Sequence, residues 1–367
     1  MVAQVSDNFT VTSTLSRKAL LMAFKVKRPV FIWGPPGIGK SEVVASVTQE
    51  LGGLMIDLRM AQMEPTDIRG IPFFNKDNGK MDWAPPVDLP DEETARKYPI
   101  VVLFLDEMNS AAPAVQAAGY QLVLNRRVGK YVLPDNVVIV AAGNRESDKG
   151  VTYRMPMPLA NRFLHLEMRV DFDSWQHWAV LNGVNEEVVG YLMRNKQDLY
   201  DFDSKSSTRA FATPRSWTFV SELLNMEDKE DTETVYALTA GAIGEGLASK
   251  FGAHRKFVAQ LPEPGDILSG KVKDLNVKEV SAMYSLTVSM CYELKECMDQ
   301  KKVDKNKLSE MMDNFLSYMM KNFETELVIM GAKTAIKTYG LPLEPSKLKC
   351  FDEFHKKFGK YILEAVK

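Results

Sequence analysis

Continuous apolar runs and amphipathic segments alternate along the first 168 residues of the chain. The apolar runs are short, and continuous burial of this kind is typical of strands in a parallel sheet. The segments between them repeat their apolar residues at helical spacing. The predicted strands are residues 29–33, 54–58, 100–105, 136–142 and 164–168, and the predicted helices are 13–27, 42–51 and 112–124. This alternation predicts an α/β fold with a parallel sheet between helices.

Two hairpins are predicted to interrupt the alternation. Residues 71–75 and 80–84 flank Asp77-Asn78-Gly79, which is a strong signal for a tight turn between antiparallel strands. A second hairpin is expected over Asn125–Leu133. The charged run Asp91–Lys97 follows two prolines and is predicted to be a solvated linker.

The pattern changes to helical spacing from Asp171 onward, so the rest of the chain is predicted to be helical. Thr213 and Pro214 are typical of an N-cap and a first helical residue. Ser204–Thr208 is predicted to be a polar loop, and Pro262–Asp266 a boundary. The predicted helices include 175–181, 188–193, 213–224 and a single helix over 232–251, and a stripe at Leu308, Met311, Met312, Phe315 and Met319 is interpreted as core.

The glycine-rich segment after the first apolar strand organises the rest of the molecule. Its spacing, Gly-x-x-x-x-Gly-Lys-Ser between a strand and a helix, is that of a P-loop. Glycines let successive backbone N–H groups point at phosphate oxygens, and the following helix presents its positive end to the same anion. Lys40 is expected to reach the β- and γ-phosphates of ATP, and Ser41 to bind Mg²⁺. The predicted nucleotide-binding residues are Gly34, Pro35, Pro36, Gly37, Ile38, Gly39, Lys40 and Ser41.

Three polar residues end the two later buried strands. Asp106 and Glu107 come directly after one of them, and Asn144 follows the next. In open α/β sheets, ligands bind at the carboxyl ends of the strands. Asp106 is therefore predicted to hold Mg²⁺ at the nucleotide together with Ser41, and Glu107 to activate the attacking water. Asn144 is predicted to align that water between Glu107 and the γ-phosphate.

Composition narrows the classes of function. The chain has 367 residues, of which 45% are hydrophobic, so two or three domains with real cores are expected. A net charge of −2 and a pI near 6.2 give no overall electrostatic signature of nucleic-acid or membrane binding. Three cysteines without paired spacing argue against a disulfide framework or a zinc site. Since no signal-peptide pattern or membrane-length apolar run occurs, a cytoplasmic protein is expected.

Taken in order, these motifs resemble the AAA+ ATPases, and more narrowly their MoxR-like branch. The resemblance covers about residues 14–251 and implies a P-loop AAA+ core followed by an all-α lid and a helical C-terminal extension. The expected domains are a nucleotide-binding domain at 1–168, a lid at 169–262 and an extension at 263–367 for partner or client binding. The segments that carry the resemblance are Gly34–Ser41, Glu64–Gly70, Leu103–Asn109, Ala141–Asn144, Leu159–Phe163 and Thr213–Trp217.

The resemblance also assigns roles to two arginines. Arg215 is similar to sensor 2, which reaches the γ-phosphate within the same subunit; the alternative is a surface position on a helix. Arg162 is similar to the arginine finger that enters a neighbouring subunit's site, although Asn161 replaces the usual aspartate. The alternative for Arg162 is a structural ion pair. The competing candidates for the finger are Arg126, Arg127 and Arg145.

A site completed by a neighbour implies a homo-oligomeric ring, which is usually a hexamer in this family. The resemblance further implies a chaperone-like ATPase that remodels or matures a protein client, with a separate partner carrying a von Willebrand A-type domain. The two hairpins match elements that such rings aim at their channel or top face. Trp83 in the first hairpin is either an aromatic residue that grips a polypeptide or a packed core residue.

Two alternative functions stay open at this point. One is a nucleic-acid motor or loader, because Arg126, Arg127 and Lys130 put positive charge on the second hairpin, where related rings contact DNA. Solvated surface charges are the simpler interpretation of that hairpin. The other is a scaffold that binds ATP and hardly hydrolyses it, which the intact Asp106–Glu107 pair disfavours.

Overall fold

The fold is described from a computed structural model of the chain. The structure describes residues 9–148, 152–203, 208–226, 232–277, 279–300, 303–343 and 348–366. The chain divides into two compact units, of which the first is Met1–Ser174 with Asp203–Ser206 and the second is Trp175–Phe202 with Ser207–Lys367. Most of the predicted polar loop Ser204–Thr208 lies outside the described residues.

A parallel sheet forms the centre of the first unit, and two separate antiparallel hairpins accompany it. The strands are β1 (Thr10–Val11), β2 (Val30–Trp33), β3 (Leu54–Arg59), β4 (Ile71–Asn75), β5 (Lys80–Ala84), β6 (Val101–Asp106), β7 (Arg127–Val128), β8 (Tyr131–Val132), β9 (Val137–Gly143) and β10 (Leu164–Met168). Six of them make the sheet in the order β1-β10-β2-β9-β6-β3, with every neighbouring pair parallel. The predicted α/β class is therefore confirmed, and the hairpins are β4–β5 and β7–β8.

Helices cover both faces of this sheet. They are α1 (Ser13–Lys25), α2 (Lys40–Glu50), α3 (Pro65–Arg69), α4 (Glu92–Arg96), α5 (Pro113–Asn125) and α6 (Met157–Ala160). On one face, Leu103 and Leu105 of β6 share a core with Val115 and Leu122 of α5. Because successive side chains of a strand point to opposite faces, α2, which contacts β3, β6 and β9, covers the other face. Two-sided burial explains why β6 is apolar up to Asp106 and β9 is apolar throughout.

The segment Asp91–Lys97 is largely exposed, as its charge predicted, but it forms helix α4 and is not a linker. Asp91 accepts a hydrogen bond from the backbone N–H of Thr94 and so caps α4, and Ala95 is buried beneath the helix. The cap satisfies a backbone N–H group that the first turn of a short helix would otherwise leave without a partner. This stabilises the helix despite the high charge of the segment.

The second unit is helical, as predicted. Its helices are α8 (Glu186–Arg194), α9 (Pro214–Asn225), α10 (Thr232–Ile243), α11 (Glu245–Val258), α12 (Pro264–Leu268), α13 (Val280–Asp299), α14 (Lys305–Asn322), α15 (Thr325–Lys333), which continues into a π-helical turn at Thr334–Thr338, and α16 (Phe351–Val366), while α7 (Phe172–Leu181) spans the division between the units. Thr213 caps α9 by accepting from the N–H of Ser216, with Pro214 as the first helical residue. The single helix predicted over residues 232–251 is wrong, because Gly244 with φ of 89° separates α10 from α11.

Aromatic rings and buried polar groups fill the centre of the second unit. Tyr191, Trp217 and Phe251 pack with ring centroids 5.3–5.6 Å apart. Helix α8 packs along α13, so the ranges predicted as lid and extension both contribute to this unit. Their separation into two domains stays a prediction. In the part of the chain that the structure describes, no helix is both long and apolar enough to cross a bilayer.

Candidate active site

The P-loop joins the end of β2 to the start of α2. The second half of α2 is anchored in the core by Val47 and Thr48, which are buried. Gly39 has φ of 89°, a conformation that side chains of L-residues rarely adopt, and it directly precedes the first helical residue, Lys40. Glycine at this position lets the chain turn sharply into the helix, so that the N–H groups of the first helical turn face the end of the sheet.

Lys40 links the loop to the end of strand β9. Its ammonium donates to the carbonyl oxygens of Gly34 at 2.6 Å and Pro35 at 2.9 Å, and to Asn144 Oδ1 at 3.1 Å. The last of these contacts joins residues 104 positions apart. An ammonium group has three donors, and oxygen acceptors of this kind can be exchanged for phosphate oxygens. The predicted P-loop lysine and the predicted water-aligning amide therefore meet.

Ser41 and Asp106 form the second contact between separate motifs. Ser41 Oγ donates to Asp106 Oδ2 at 3.2 Å, and both side chains are only partly buried. A hydroxyl and a carboxylate are hard oxygen ligands, which is the donor set that Mg²⁺ prefers beside a polyphosphate. The pair therefore fits the predicted metal role.

Glu107 lies in a strained turn at the end of β6. Its backbone has φ of 54° and ψ of 32°, in the left-handed region that few residues other than glycine adopt. Asp106 stabilises the turn, because its Oδ1 accepts a hydrogen bond from the Glu107 N–H at 2.9 Å. Strain of this type is concentrated at functional sites, where it fixes the direction of a side chain.

Asp57 is a third carboxylate near this edge, and the motif analysis missed it. It lies on β3, next to β6, where Arg59 is in register with Asp106. Burial raises the pKa of Asp57, and the charges of Asp106 and Glu107 raise it further, whereas Arg59 lowers it. Its position at the end of a predicted strand is the signal that could have identified it.

The arginines proposed for the finger differ in their contacts. Arg145 donates through Nε to Glu167 at 2.8 Å and through Nη2 to the Met168 carbonyl at 3.1 Å. Arg126 donates to the carbonyls of Pro134 and Val137 at 2.8 and 2.9 Å. Both guanidinium groups are thus engaged by other residues of the first unit.

Arg162 and Arg127 are more exposed. Arg162 follows α6 in the turn before β10, and among the described residues its guanidinium makes no hydrogen bond or ion pair. Arg127 donates only to the Gly129 carbonyl, at 3.0 Å, within its own hairpin. Arg215 is exposed in the first turn of α9, in the second unit. Among the described residues of the first unit, neither Arg162 nor Arg127 joins the contacts of Lys40 with Asn144 and of Ser41 with Asp106.

A family comparison supports the identity of the site. Residues 30–165 match the model of AAA, the ATPase family associated with various cellular activities. Residues 30–165 are therefore similar to an AAA domain. This match runs from β2 to β10 and includes the P-loop, the two carboxylates and Asn144. The matched family is one of ATPases, so the similarity supports nucleotide binding in general terms.

Solved structures resemble the whole chain only weakly. A "putative ATPase" from Cytophaga hutchinsonii is 13% identical, and the alignment covers 90% of this chain and 82% of that one with a TM-score of 0.35. The RuvB Holliday junction branch migration motor of Thermotoga maritima is 14% identical over 84% of this chain and 86% of that one, also with a TM-score of 0.35. Such low scores support no functional conclusion for this chain.

Proposed function

We propose that the protein binds Mg-ATP at the carboxyl edge of its sheet and hydrolyses it. The observation that carries the proposal is the pair of contacts Lys40–Asn144 and Ser41–Asp106, through which three distant motifs converge on one loop. Phosphoryl transfer needs charge stabilisation and positioning more than covalent chemistry, and this set of side chains provides both.

Each side chain then has a distinct task. Lys40 exchanges its contacts with Gly34 and Pro35 for phosphate oxygens. Ser41 and Asp106 would hold Mg²⁺, which would neutralise charge on the phosphates. Glu107 accepts a proton from the attacking water, and Asn144 orients that water. The test is phosphate release with Ser41→Ala: the Mg²⁺ concentration at half-maximal rate should rise several-fold, and an unchanged Mg²⁺ requirement would remove Ser41 from the metal site.

We further propose that the protein works as a homo-oligomeric ring, usually a hexamer in related proteins, in which Arg162 completes a neighbour's site. Its exposed guanidinium without a partner among the described residues supports this role, whereas Arg145 and Arg126 are engaged in their own subunit. Arg215 is proposed to act as sensor 2 within its own subunit.

A mixing experiment tests the trans arrangement. Arg162→Ala and Glu107→Gln proteins should each be nearly inactive, and mixed rings should regain part of the activity, because some sites then contain both residues. Absence of recovery in rings shown to be mixed would place Arg162 outside the neighbouring site. Arg145→Ala is the matched control: it should lower stability, and it should be active without mixing because Glu107 and Arg162 are both intact.

The first hairpin supports a polypeptide as the substrate of remodelling. The strand register places Phe74 opposite Met81, and their exposed fractions are 66% and 70%. Pro72 and Trp83 lie on the same face of the ribbon, and Trp83 is 37% exposed. Adjacent exposed apolar side chains on one face form a patch of the kind that contacts other chains.

The second hairpin offers less to nucleic acid than its charge predicted. Lys130 Nζ pairs with Asp82 Oδ2 at 2.5 Å, and Arg126 is engaged with two backbone carbonyls. The Lys130 hydrogen bond lowers the pKa of Asp82, which keeps its carboxylate charged beside the lysine. Of the three positive side chains, Arg127 alone is left without a bond outside its hairpin among the described residues. A protein client is therefore the better-supported partner.

Binding measurements separate the two functions. Phe74→Ser with Met81→Ser should weaken binding of fluorescein-labelled unfolded casein and the stimulation of ATPase by it. Arg127→Ala is the matched variant on the other hairpin and should leave both unchanged. Salt-dependent binding of a single- or double-stranded DNA oligonucleotide that Arg127→Ala abolishes would instead establish the DNA function.

Other elements of the proposal rest on the resemblance to MoxR-like proteins. They are a lid at residues 169–262, an extension at 263–367 that binds partner or client, and a separate protein with a von Willebrand A-type domain. A cytoplasmic location is also proposed. Cys291 and Cys350 are free cysteines, which suits a reducing compartment.

A further inference from the structure

Asn109 is a buried polar residue between the strained turn and Asn144, and the proposed chemistry does not use it directly. It lies in the 3₁₀ turn Met108–Ser110, two residues after Glu107, and is 2% exposed. Its Nδ2 donates to the main-chain carbonyl of Asn144 at 2.8 Å. Its own carbonyl accepts from the N–H of Tyr153 at 2.6 Å. The residue is therefore fixed on two sides.

Gly143 shows how closely Asn109 approaches the end of β9. A Cβ placed on Gly143 would lie 2.1 Å from Asn109 Oδ1, and 3.0 Å from Cζ of Phe31. The same Oδ1 is buried and has no hydrogen-bond partner among the described residues. If the Asn109 amide were flipped, its Oδ1 would face the carbonyl oxygen of Asn144, and two acceptors cannot form a hydrogen bond. The contact with Asn144 therefore determines the orientation of the Asn109 amide.

The two contacts restrain the segment that carries Asn144. Nδ2 of Asn109 donates to the carbonyl of Asn144, and Oδ1 of Asn109 packs against Gly143. These two contacts restrict the backbone positions of Gly143 and Asn144. The Asn144 side chain then extends to Lys40, with 3.1 Å between Oδ1 and Nζ. A buried acceptor without a hydrogen-bond partner, such as Asn109 Oδ1, lowers the stability of the fold. Such a group calls for an explanation, and a functional role is one.

We infer that Asn109 is a positioning residue, which holds Asn144 in contact with Lys40 and links the turn of Glu107 to that contact. The inference rests on the proposed ATP hydrolysis, since it concerns the orientation of a group at the same site. Asn109 touches neither the phosphates nor the water in this account. Its effect passes through the main chain of Gly143 and Asn144.

The kinetic test uses the full chain with ATP. Asn109→Ala should lower kcat about 10-fold or more, because a small displacement of a catalytic group is costly, while KM for ATP changes by less than about 3-fold. Asn136→Ala is the matched control: Asn136 also donates to main-chain carbonyls, at 2.8 Å to Ala95 and 3.0 Å to Tyr98, and precedes the opposite end of β9. It should lower stability and leave kcat unchanged. A kcat for Asn109→Ala within 2-fold of the wild type would overturn the inference.

A double mutant tests the mechanism of positioning. Gly143→Ala should lower kcat because its new Cβ displaces Asn109, and this loss should be smaller in the Asn109→Ala background, where the obstructing amide is gone. Independent, multiplicative losses would show that the two residues do not act through one contact and would contradict the inference.

Unfolding measurements keep this test separate from the proposed function. If the wild type does not hydrolyse ATP, the proposed function fails, and the contact is judged from thermal midpoints alone. Gly143→Ala should then lower the midpoint more in the wild type than in Asn109→Ala. Equal shifts in both backgrounds would mean that Asn109 does not hold this segment.

Discussion

Polar side chains meet in two regions of the molecule, and the regions differ in how much solvent reaches them. At the edge of the sheet in the first unit, Lys40 and Asn144 meet in a partly buried site. In the second unit, His254 Nε2 lies 2.9 Å from Ser285 Oγ beneath aromatic rings, and both residues are at most 3% exposed. The first set can exchange its contacts for those of a ligand, whereas the second is permanently enclosed.

In the buried region of the second unit, burial shifts the pKa values of the titratable side chains. Burial lowers the pKa of His254 to about 4, because desolvation disfavours the charged imidazole. The Tyr191 hydroxyl donates to Asp198 at 2.6 Å, and burial with this carboxylate raises the pKa of Tyr191. The enclosed polar groups of the second unit contribute to the stability of the fold, so substitutions there should change the free energy of unfolding. Substitutions at the edge of the sheet should instead change nucleotide binding.

The largest expected effect is the loss of ATP binding in Lys40→Ala. Hydrogen bonds between charged groups contribute about 1.5–3 kcal/mol each, so affinity should fall at least about 100-fold. Isothermal titration with ATP and Mg²⁺ measures this change. Lys130→Ala removes an exposed ammonium from the same unit and should bind normally. Equal affinity of Lys40→Ala and the wild type would mean that the sheet edge is not the nucleotide site.

The second prediction concerns acid stability and the buried histidine. The pKa of His254 in the folded state is about 4, below its ordinary value of 6.5, so the unfolded chain binds the proton more tightly. The associated stability is therefore present above pH 6.5 and is lost as the pH falls from 6.5 towards 4. The loss is at most about 3 kcal/mol in the free energy of unfolding.

Denaturant titrations between pH 7 and pH 4 check this dependence. His254→Gln should flatten it, because glutamine fills the position without titrating, while nucleotide binding should not change. His355→Gln, at an exposed position on α16, serves as control and should leave the pH dependence intact. The same slope in His254→Gln and the wild type would assign the dependence to other groups.

A smaller loss of stability is expected for Tyr191→Phe. Removing the hydroxyl leaves the largely buried Asp198 without this donor. The free energy of unfolding should fall by about 1.5–3 kcal/mol, as for a hydrogen bond to a charged group. Tyr120→Phe is the neutral counterpart, since Tyr120 donates to Gln116 Oε1 at 2.7 Å, and should cost about 0.5–1.5 kcal/mol. Urea unfolding compares them; an equal or smaller loss for Tyr191→Phe would mean that Asp198 is satisfied without it.

The smallest effect is expected for Asp57→Asn. Because the pKa of Asp57 is raised in the folded state, ionisation of its carboxyl costs stability. Its replacement should stabilise the fold at pH 7 by less than about 1 kcal/mol, as is usual for solvent-screened charges. The gain should vanish as the pH falls below the ordinary aspartate pKa. Destabilisation at pH 7 would show that the carboxylate makes a favourable contact.

The sequence was most informative where local pattern and geometry coincide. The apolar run before Asp106 predicted a strand buried on both faces, and the glycine spacing predicted the turn into α2. Asn144 could be placed near Asp106 because neighbouring parallel strands end at the same edge of a sheet.

What the sequence could not predict depends on contacts between distant segments. The pKa of Asp57 is raised by burial and then by the charge of Asp106 on the neighbouring strand β6. Asn109 reaches Asn144 through the turn after Glu107. The break at Gly244 was missed because its neighbours are helix-compatible, so that only its positive φ reveals the end of α10. Helix α4 was missed because five residues are too few to show a helical period.

The most direct test of the account measures binding and single-turnover hydrolysis of ATP by Glu107→Gln and the wild type. The substitution removes the proposed base and leaves Lys40, Ser41 and Asp106 in place. We expect ATP affinity within about 3-fold of the wild type and hydrolysis slower by about 10²–10⁴-fold, with ATP-loaded protein collecting in a ring-sized species on light scattering. Hydrolysis at the wild-type rate would contradict the assignment of Glu107, and with it the proposed mechanism at this edge.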